Sequence, residues 1–239
     1  MVIPIYNHKD TIAQVVEALE ELALPCFIVD DGSEAPTKQV LSTLSEEKPH
    51  VEVITRTENG GKGAAVATGL LAAFEKGHTH ALQVDADGQH RTADAQAFLE
   101  QAASRPEALV LGRPTFDDSA PKSRVYGRRI THFFVWLETL SLEIKDTLCG
   151  FRVYPLVAFK GIADKTRLRE RMDFDPEIAV RMHWAGVPVV NLDTPVKYDP
   201  QGLSHFDFKR DNLRMISLHT RLLLEMVVRL PVLLIRRLG

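Results

Sequence analysis

The chain has 239 residues, of which 45% are hydrophobic and 26% are charged. This ordinary globular composition and this length suit one large α/β domain, or two small ones, with a sizeable core. The net charge of −3 excludes a general binder of polyanions, so we expect no nucleic-acid partner. Two distant cysteines, Cys26 and Cys149, favour neither a disulfide framework nor a zinc site. No secretory signal is visible, so we expect a cytoplasmic protein.

Strand and helix patterns alternate along the first part of the chain. The predicted strands cover residues 2–6, 26–29, 51–54, 81–84 and 110–111. The predicted helices cover residues 12–22, 36–44, 64–76 and 94–103. This alternation predicts βαβ units, and hence a Rossmann-like α/β fold with a mainly parallel sheet flanked by helices.

The second part of the chain is less regular. Residues 114–129 are polar and predict a long loop, and an apolar helix is expected over 130–142. A short strand at 150–154, a helix at 176–185 and two edge strands at 188–193 and 196–198 complete the expectation.

The most informative segment runs from Asp85 to His90, directly after the predicted strand 81–84. Open α/β sheets bind ligands at the carboxyl ends of their strands. Asp85 and Asp87, with the amide of Gln89, offer hard oxygen ligands for Mg²⁺ or Mn²⁺, which usually share their coordination sphere with substrate phosphates. The alternative is a polar turn whose aspartates cap the next helix.

Two further segments point to a nucleotide. Asp30 and Asp31 end another strand, where paired carboxylates can accept hydrogen bonds from a base and from ribose hydroxyls. Gly60, Gly61 and Gly63 allow close approach of a ligand, and Lys62 can meet a phosphate. The residue after Lys62 is glycine, so this loop is not a P-loop, and the dinucleotide fingerprint of nicotinamide oxidoreductases is missing.

Taken together, Val-Asp-Asp-Gly-Ser at 29–33, Gly-Lys-Gly-Ala-Ala at 61–65, Asp-Ala-Asp-Gly-Gln-His at 85–90 and Cys-Gly-Phe-Arg at 149–152 resemble the inverting glycosyltransferase family 2. The closest branch is the dolichyl-phosphate mannose synthase-like enzymes. The resemblance covers roughly residues 2–200 and implies a GT-A domain over 1–205. Its nucleotide-binding half is expected at about 1–112 and its acceptor half at about 113–205, before a tail at 206–239.

The resemblance also implies residue roles. It implies a base pocket lined by Pro4, Tyr6 and Asn7, base and ribose contacts from Asp30 and Asp31, and a place near the nucleotide for Lys62. It makes Asp85 and Asp87 the D-x-D pair, with Asp87 the direct metal ligand, and allows Gln89 to reach the metal.

On the acceptor side, the resemblance places Arg152 against the diphosphate or an acceptor phosphate. It places Asp175 and Glu177 near the acceptor, where either can be the catalytic base. The chain departs from the branch at Ser204 and His205, where members often carry Ser-Lys, and this disfavours a standard polyprenyl phosphate acceptor.

The tail is basic and rich in leucine. From residue 209 onward it carries a net charge of +5, against −8 for residues 1–208. The apolar stretch 222–235 has 14 residues and is interrupted by Glu225, Arg229 and Pro231, whereas a membrane span needs about 20. We expect an amphipathic helix on an anionic membrane surface, at the inner face. A helix packed on the body, or a homodimer contact, is the alternative.

The sequence therefore predicts a metal-dependent hexosyltransferase that moves a sugar from a UDP- or GDP-linked donor to a lipid-linked or hydroxylated acceptor. Two other classes stay open. A sugar-1-phosphate nucleotidyltransferase would carry a glycine-rich, arginine-containing loop after the first strand, where Tyr6-Asn7-His8-Lys9 stands instead. A non-catalytic nucleotide-binding protein would bind the nucleotide without transfer.

Overall fold

The structure is a computed structural model that describes residues 1–116, 122–196 and 207–238. At residues 122–124, 237 and 238 only the backbone is described. The predicted 196–198 strand therefore lies partly outside the described residues, and Ser204 and His205 lie wholly outside them.

Within these ranges the chain forms one seven-stranded sheet in the order β3-β2-β1-β4-β6-β5-β7. The strands are β1 Val2–Ile5, β2 Cys26–Asp30, β3 Val51–Thr55, β4 His80–Gln83, β5 Leu109–Phe116, β6 Arg152–Pro155 and β7 Val189–Val196. Only β6 runs antiparallel to its neighbours β4 and β5; the other described pairs are parallel. The predicted α/β class and mainly parallel sheet are confirmed.

Helices cover both faces of the sheet. They are α1 Ile12–Ala18, α2 Ala35–Glu47, α3 Lys62–Glu75, α4 Ala95–Ser104, α5 Lys122–Thr139, α6 Leu156–Ala163, α7 Phe174–Trp184 and α8 Phe208–Leu238. One apolar core lies between the sheet and α1, α2 and α4. The other core includes residues of α3, α5, α6, α7 and α8. Because β1, β2 and β4 are parallel neighbours buried between these layers, their carboxyl ends meet at one edge.

Several predicted boundaries were wrong in the second half. The segment 114–129 is not one long loop, because β5 continues to Phe116 and α5 already begins at Lys122. The charges of residues 122–129 concealed the first part of α5, whereas its later part, which buries Thr131, Val135 and Glu138 at helical spacing, falls within the helix predicted at 130–142. The edge strand expected at 188–193 continues to Val196 as one strand, β7, and helix α6 was missed.

The glycines before and within α3 allow close contact with the segment that leads into α7. A side chain at Gly63 would overlap Phe174, and one at Gly61, where φ is +103°, would come within 2.9 Å of the Glu170 carbonyl oxygen. The Ala64 amide donates to that same carbonyl at 2.8 Å. The glycines therefore serve to bring the start of α3 against the start of α7.

We predict that Gly63→Ala lowers the free energy of unfolding by roughly 1–3 kcal/mol, because the added methyl group has no room beside Phe174. The matched control is Gly161→Ala in α6, where the added methyl group meets nothing within 4 Å and alanine favours the helix. Urea unfolding of the two variants measures both effects. Equal stability of the two variants would contradict the packing described.

Candidate functional site

The candidate site lies at the carboxyl ends of β1, β2 and β4. Asp85 and Asp87 follow β4, Asp30 ends β2, and Tyr6 and Asn7 follow β1. The turn after β4 is fixed against α1, because the Thr11 hydroxyl donates to the Ala86 carbonyl at 2.6 Å. The parallel register thus brings residues as distant in sequence as Tyr6 and Asp87 to one edge of the sheet.

Lys62 is the centre of the site. Its ammonium lies 2.8 Å from an Asp85 carboxylate oxygen and 3.1 Å from an Asp175 carboxylate oxygen. The exposed fractions of the three side chains are 18% for Lys62, 19% for Asp85 and 7% for Asp175. The cation therefore joins the first residue of α3, the loop after β4 and the first turn of α7 in a space with little water.

The charges in this cluster stabilise one another. Burial alone would lower the pKa of Lys62, but the carboxylates of Asp175 and Asp85 raise it above its ordinary value. Burial alone would raise the pKa of Asp85, but the Lys62 charge and the nearby His90 lower it. Lys62 is therefore a cation and Asp85 an anion at neutral pH.

Asp85 is enclosed on its remaining sides. His90 Nε2 lies 3.4 Å from its carboxylate, and the amide nitrogen of Gln83 lies 3.5 Å from the other oxygen. A side chain at Gly150 would overlap the Asp85 carboxylate and displace it, so the glycine allows the carboxylate to take this position. Asp85 is thus fixed by protein contacts.

Asp87 has a different environment. The Asp87 side chain is half-buried, and one of its carboxylate oxygens accepts a hydrogen bond from the Gln89 backbone amide at 3.0 Å. No described lysine, arginine or histidine lies within ion-pair distance of it. Gly88, at φ +71°, makes the turn that follows. Among the described residues no three His, Cys, Asp or Glu side chains converge on one point as a metal centre. One available carboxylate fits a Mg²⁺- or Mn²⁺-type ion whose other ligands come from substrate phosphates and water.

The two aspartates at the end of β2 have separate surroundings. Asp31 accepts from the Gly60 and Gly61 amides at 3.0 and 2.6 Å and from Arg56 at 2.9 Å, so it holds the loop before α3. Asp30 is fully buried and accepts from the Ser33 amide at 2.9 Å. Its second carboxylate oxygen has no hydrogen-bond partner among the described residues. Asp30 thus has an unused acceptor at the edge of the sheet.

The residues at the end of β1 also differ in exposure. Pro4 is buried inside the strand, whereas Tyr6 and Asn7 are partly exposed. Asn7, at φ +59°, takes a hydrogen bond from the Glu34 amide at 2.8 Å, and its own amide donates to Ser33 at 3.0 Å. The loops after β1 and β2 are therefore tied together.

Arg152 lies beneath the site and is fully buried. Its guanidinium donates to the carbonyl oxygens of Cys149 at 2.7 Å and Asp175 at 2.9 Å, and to that of Thr147. It also lies 3.6 Å from the second carboxylate oxygen of Asp175. In this arrangement Arg152 supports the loop that covers Asp85 and positions Asp175.

Asp175 and Glu177 belong to different clusters, although both lie in the first turn of α7. Asp175 points to Lys62, and its second oxygen has no hydrogen-bond partner in the described part of the chain. Glu177 is fully buried and accepts from Arg181 at 2.7 Å, from the Arg169 amide at 2.6 Å and from Arg221 of α8. Glu177 therefore joins α7 to α8, and the structure does not bring it to the Lys62 cluster.

Two residues with structural roles at the site were not singled out from the sequence. Arg56 holds Asp31 and donates to Thr68 at 2.8 Å, and no pattern in the sequence marks it. Asp146 accepts from the Leu148 and Cys149 amides at 2.8 Å, which shapes the loop over Asp85. Burial opposes its charge, but His132 and Arg128 lower the pKa of Asp146 to about 2.

Comparison with known proteins identifies the family. The model of Glycosyl transferase family 2 matches residues 1–163, so the chain belongs to this family. The predicted family is confirmed. A dolichyl-phosphate beta-glucosyltransferase of Drosophila melanogaster is 30% identical over 203 residues, 74% of this chain and 60% of that protein. A UDP-N-acetylglucosamine–dolichyl-phosphate N-acetylglucosaminyltransferase of Methanococcus voltae is 27% identical, over 71% of this chain and 74% of that protein.

Among solved structures, glucosyl-3-phosphoglycerate synthase of Mycobacterium tuberculosis shares the fold. Its complex with UDP has a TM-score of 0.69 and 14% identity, and the match covers 94% of this chain and 78% of that one. Its complex with Mn²⁺, UDP and glucosyl-3-phosphoglycerate has a TM-score of 0.66. The GT-A fold is thereby confirmed. The chain spans 53–65% of the length of the dolichyl-phosphate beta-glucosyltransferases that it matches.

Proposed function

We propose that the protein transfers a hexosyl group from a UDP- or GDP-linked sugar to a lipid-linked or other membrane-proximal acceptor, with inversion at the anomeric carbon. The observation that carries this proposal is the Lys62 ammonium held between Asp85 and Asp175, beside an available Asp87, at the carboxyl edge of the sheet. The curated relatives named as sugar transferases to dolichyl phosphate support the choice of a nucleotide-sugar donor and a lipid-linked acceptor.

Asp30, Tyr6 and Asn7 are proposed to hold the nucleoside. Asp30 has a buried carboxylate oxygen without a described partner, and a base N–H or a ribose hydroxyl would satisfy it. The Asp31 carboxylate accepts hydrogen bonds from the loop before α3, so its proposed contribution is to fix that loop and Lys62. Pro4, buried in β1, would bound the pocket from below.

The leaving group of the proposed reaction is a nucleoside diphosphate, whose departure develops negative charge. Bound Mg²⁺ or Mn²⁺ would supply positive charge there, and Asp87 is the proposed ligand, with Gln89 and Asp85 nearby in the chain. The fold neighbour crystallised with Mn²⁺ and UDP supports this choice of ion and nucleotide. Lys62 adds a fixed cation, preorganised by its two carboxylates.

Asp175 is the proposed acceptor-side residue. The Asp175 carboxylate, one oxygen of which has no described hydrogen-bond partner, can take the proton of an attacking hydroxyl. A phosphate acceptor is already ionised and needs no base. Arg152, which bonds the Asp175 carbonyl, is proposed to hold this carboxylate in place. Glu177 is proposed to join α7 to α8 and to take no part in the reaction, because its carboxylate accepts from Arg181, Arg221 and the Arg169 backbone amide.

We predict that Asp87→Ala lowers turnover of the nucleotide sugar at least 100-fold, because the charge that binds the metal is lost. The protein should keep its melting temperature, since Asp87 makes no described ion pair. Asp10→Ala, at an exposed position near α1, is the matched control and should keep full activity. Metal-dependent product formation with UDP- and GDP-sugars measures the turnover of both variants.

Undiminished turnover in the Asp87→Ala variant would defeat the metal assignment. Binding of nucleotide by the unsubstituted protein without turnover of any donor would instead favour the non-catalytic nucleotide-binding alternative.

A paired experiment should distinguish the roles of the two acidic residues of α7. We predict that Asp175→Asn lowers kcat by about 100-fold or more, because it removes both the proton acceptor and the partner of Lys62. Glu177→Gln should mainly lower the free energy of unfolding, because the charges of Arg181 and Arg221 lose their buried partner. Steady-state kinetics and urea unfolding of both variants measure these effects. A large loss of kcat in Glu177→Gln with unchanged kcat in Asp175→Asn would contradict the proposed roles.

We further propose that α8 attaches the protein to the inner face of an anionic membrane. Leu218, Leu222 and Met226 of α8 pack in the core, whereas Leu224, Val228 and other apolar residues of the helix are exposed. The net charge of +5 on the tail complements anionic lipids. No helix in the described ranges is long and apolar enough to cross a bilayer.

We predict that Leu224→Ser combined with Val228→Ser weakens flotation with anionic vesicles several-fold, because apolar area that would enter the lipid is lost. The two side chains are 68% and 79% exposed, so stability should hardly change. Val157→Ser, 72% exposed on α6, is the matched control. Flotation that is equal in all three proteins would rule out this face of α8 as the attachment surface.

A further inference from the structure

A second cationic site lies outside the Lys62 cluster. A cavity of about 300 Å³ opens between the segment 167–173, which leads into α7, and one face of α8. Its charged lining consists of five arginines and two acids: Arg167, Arg169, Arg171, Arg214, Arg221, Glu170 and Asp173. We name it the arginine pocket. Its lining has a surplus of three positive charges, so the pocket favours an anion.

Two donors in the arginine pocket are buried and unsatisfied. Arg169 Nε and Arg221 Nε are inaccessible to water, and neither has a hydrogen-bond acceptor among the residues that the structure describes. The Asp173 carboxylate lies 3.6 Å from Arg169 Nε and the Glu225 carboxylate 3.6 Å from Arg221 Nε, both beyond good hydrogen-bond distance, while Glu177 accepts from a different nitrogen of Arg221. Because buried N–H groups in folded proteins are normally paired, these donors indicate a missing acceptor.

The arginines are held in place by other contacts. Arg169 donates to the Ser217 hydroxyl at 3.0 Å, and Arg214 donates to Asp211 at 2.7 Å. Arg214, Ser217 and Arg221 follow one another at helical spacing on α8, so they share one face of the helix. A ligand would therefore meet guanidinium groups that are already oriented, which lowers the entropic cost of binding.

The electrostatics of the pocket agree with this geometry. Burial and the charge of Arg169 lower the pKa of Arg221, despite the opposing effect of Glu225 and Asp173. Burial is the larger of these two causes, and the positive charge of Arg169 adds repulsion to it. An anion with several acceptor oxygens would relieve that repulsion and satisfy both orphan donors.

The arginine pocket is separate from the proposed nucleotide site but adjoins its loop. Arg171 donates to the Asn59 side chain at 3.2 Å, and Asn59 in turn donates to the Asp31 carbonyl at 3.0 Å. Glu170, also in the lining, accepts from the Ala64 amide of α3. An anion in the pocket would therefore lie behind the loop that positions Lys62.

We infer that the arginine pocket binds a phosphate monoester through Arg169, Arg214 and Arg221. Guanidinium groups match the oxygens of a phosphate in bidentate geometry, and a monoester dianion offers the three acceptor oxygens and the charge that this lining lacks. The phosphate can belong to a soluble molecule or to a lipid headgroup. This inference goes beyond sugar transfer and does not require it.

The test has two arms on the full chain. Isothermal titration calorimetry with inorganic phosphate measures the soluble arm. Flotation with neutral phosphatidylcholine vesicles that contain either phosphatidic acid, a monoester, or phosphatidylglycerol, a diester, measures the lipid arm. The variants are Arg169→Gln and Arg214→Gln, and the matched control is Arg105→Gln at an exposed position after α4. Arg214 is 37% exposed, so its variant is expected to fold even if that of Arg169 does not.

The inference predicts saturable phosphate binding that weakens about tenfold or more in each pocket variant and stays unchanged in Arg105→Gln. A preference for phosphatidic acid over phosphatidylglycerol in flotation, lost in the pocket variants, supports the inference with a lipid as the source. Binding that survives Arg214→Gln, or no binding in either arm, overturns it and leaves the arginines as a purely structural network. Neither arm uses a nucleotide sugar, so the result is independent of transferase activity.

Discussion

The contact on which the site depends is the buried ammonium of Lys62 between the carboxylates of Asp85 and Asp175. It joins three segments that are distant in sequence, and the Lys62 cation would be buried without a partner if the two carboxylates were absent. Removing one partner of such a buried pair typically costs about 3–5 kcal/mol. The cluster is therefore both a structural joint and the electrostatic centre of the proposed reaction. Asp87 lies two residues further along the loop after β4 and has no ion-pair partner among the described residues, so its carboxylate stays available to a ligand.

The surrounding structure keeps this joint in place. Asp31 binds the Gly60 and Gly61 amides and so fixes the loop from which Lys62 projects. Gly63 lets α3 contact Phe174, which brings Asp175 within reach of Lys62. On the other side, Asp146 and Arg152 shape the loop that places Gly150 against Asp85. Charged groups that hold loops by backbone hydrogen bonds thus outnumber those left to meet a ligand.

The parts of the fold and site that could be predicted from sequence are those that depend on local sequence patterns. Buried strands alternating with amphipathic helices identify the parallel sheet, and acidic residues at strand ends mark its functional edge. Three-dimensional partners could not be predicted in this way. Arg152 and Glu177 look like ligand-binding residues in sequence but are fully buried among protein partners. The glycines around Lys62 suggested close approach of a ligand, and in the structure Gly61 and Gly63 pack against residues 170–174. The first part of helix α5 was concealed by its charges.

The most direct test is a crystal structure of the full chain with Mn²⁺ and UDP. We expect the ion at the Asp87 carboxylate, the diphosphate bound to that ion, and the nucleoside against Asp30 and Tyr6, with Lys62 still bridging Asp85 and Asp175. A nucleotide bound at another edge of the sheet, or an ion that avoids Asp87, would contradict this expectation.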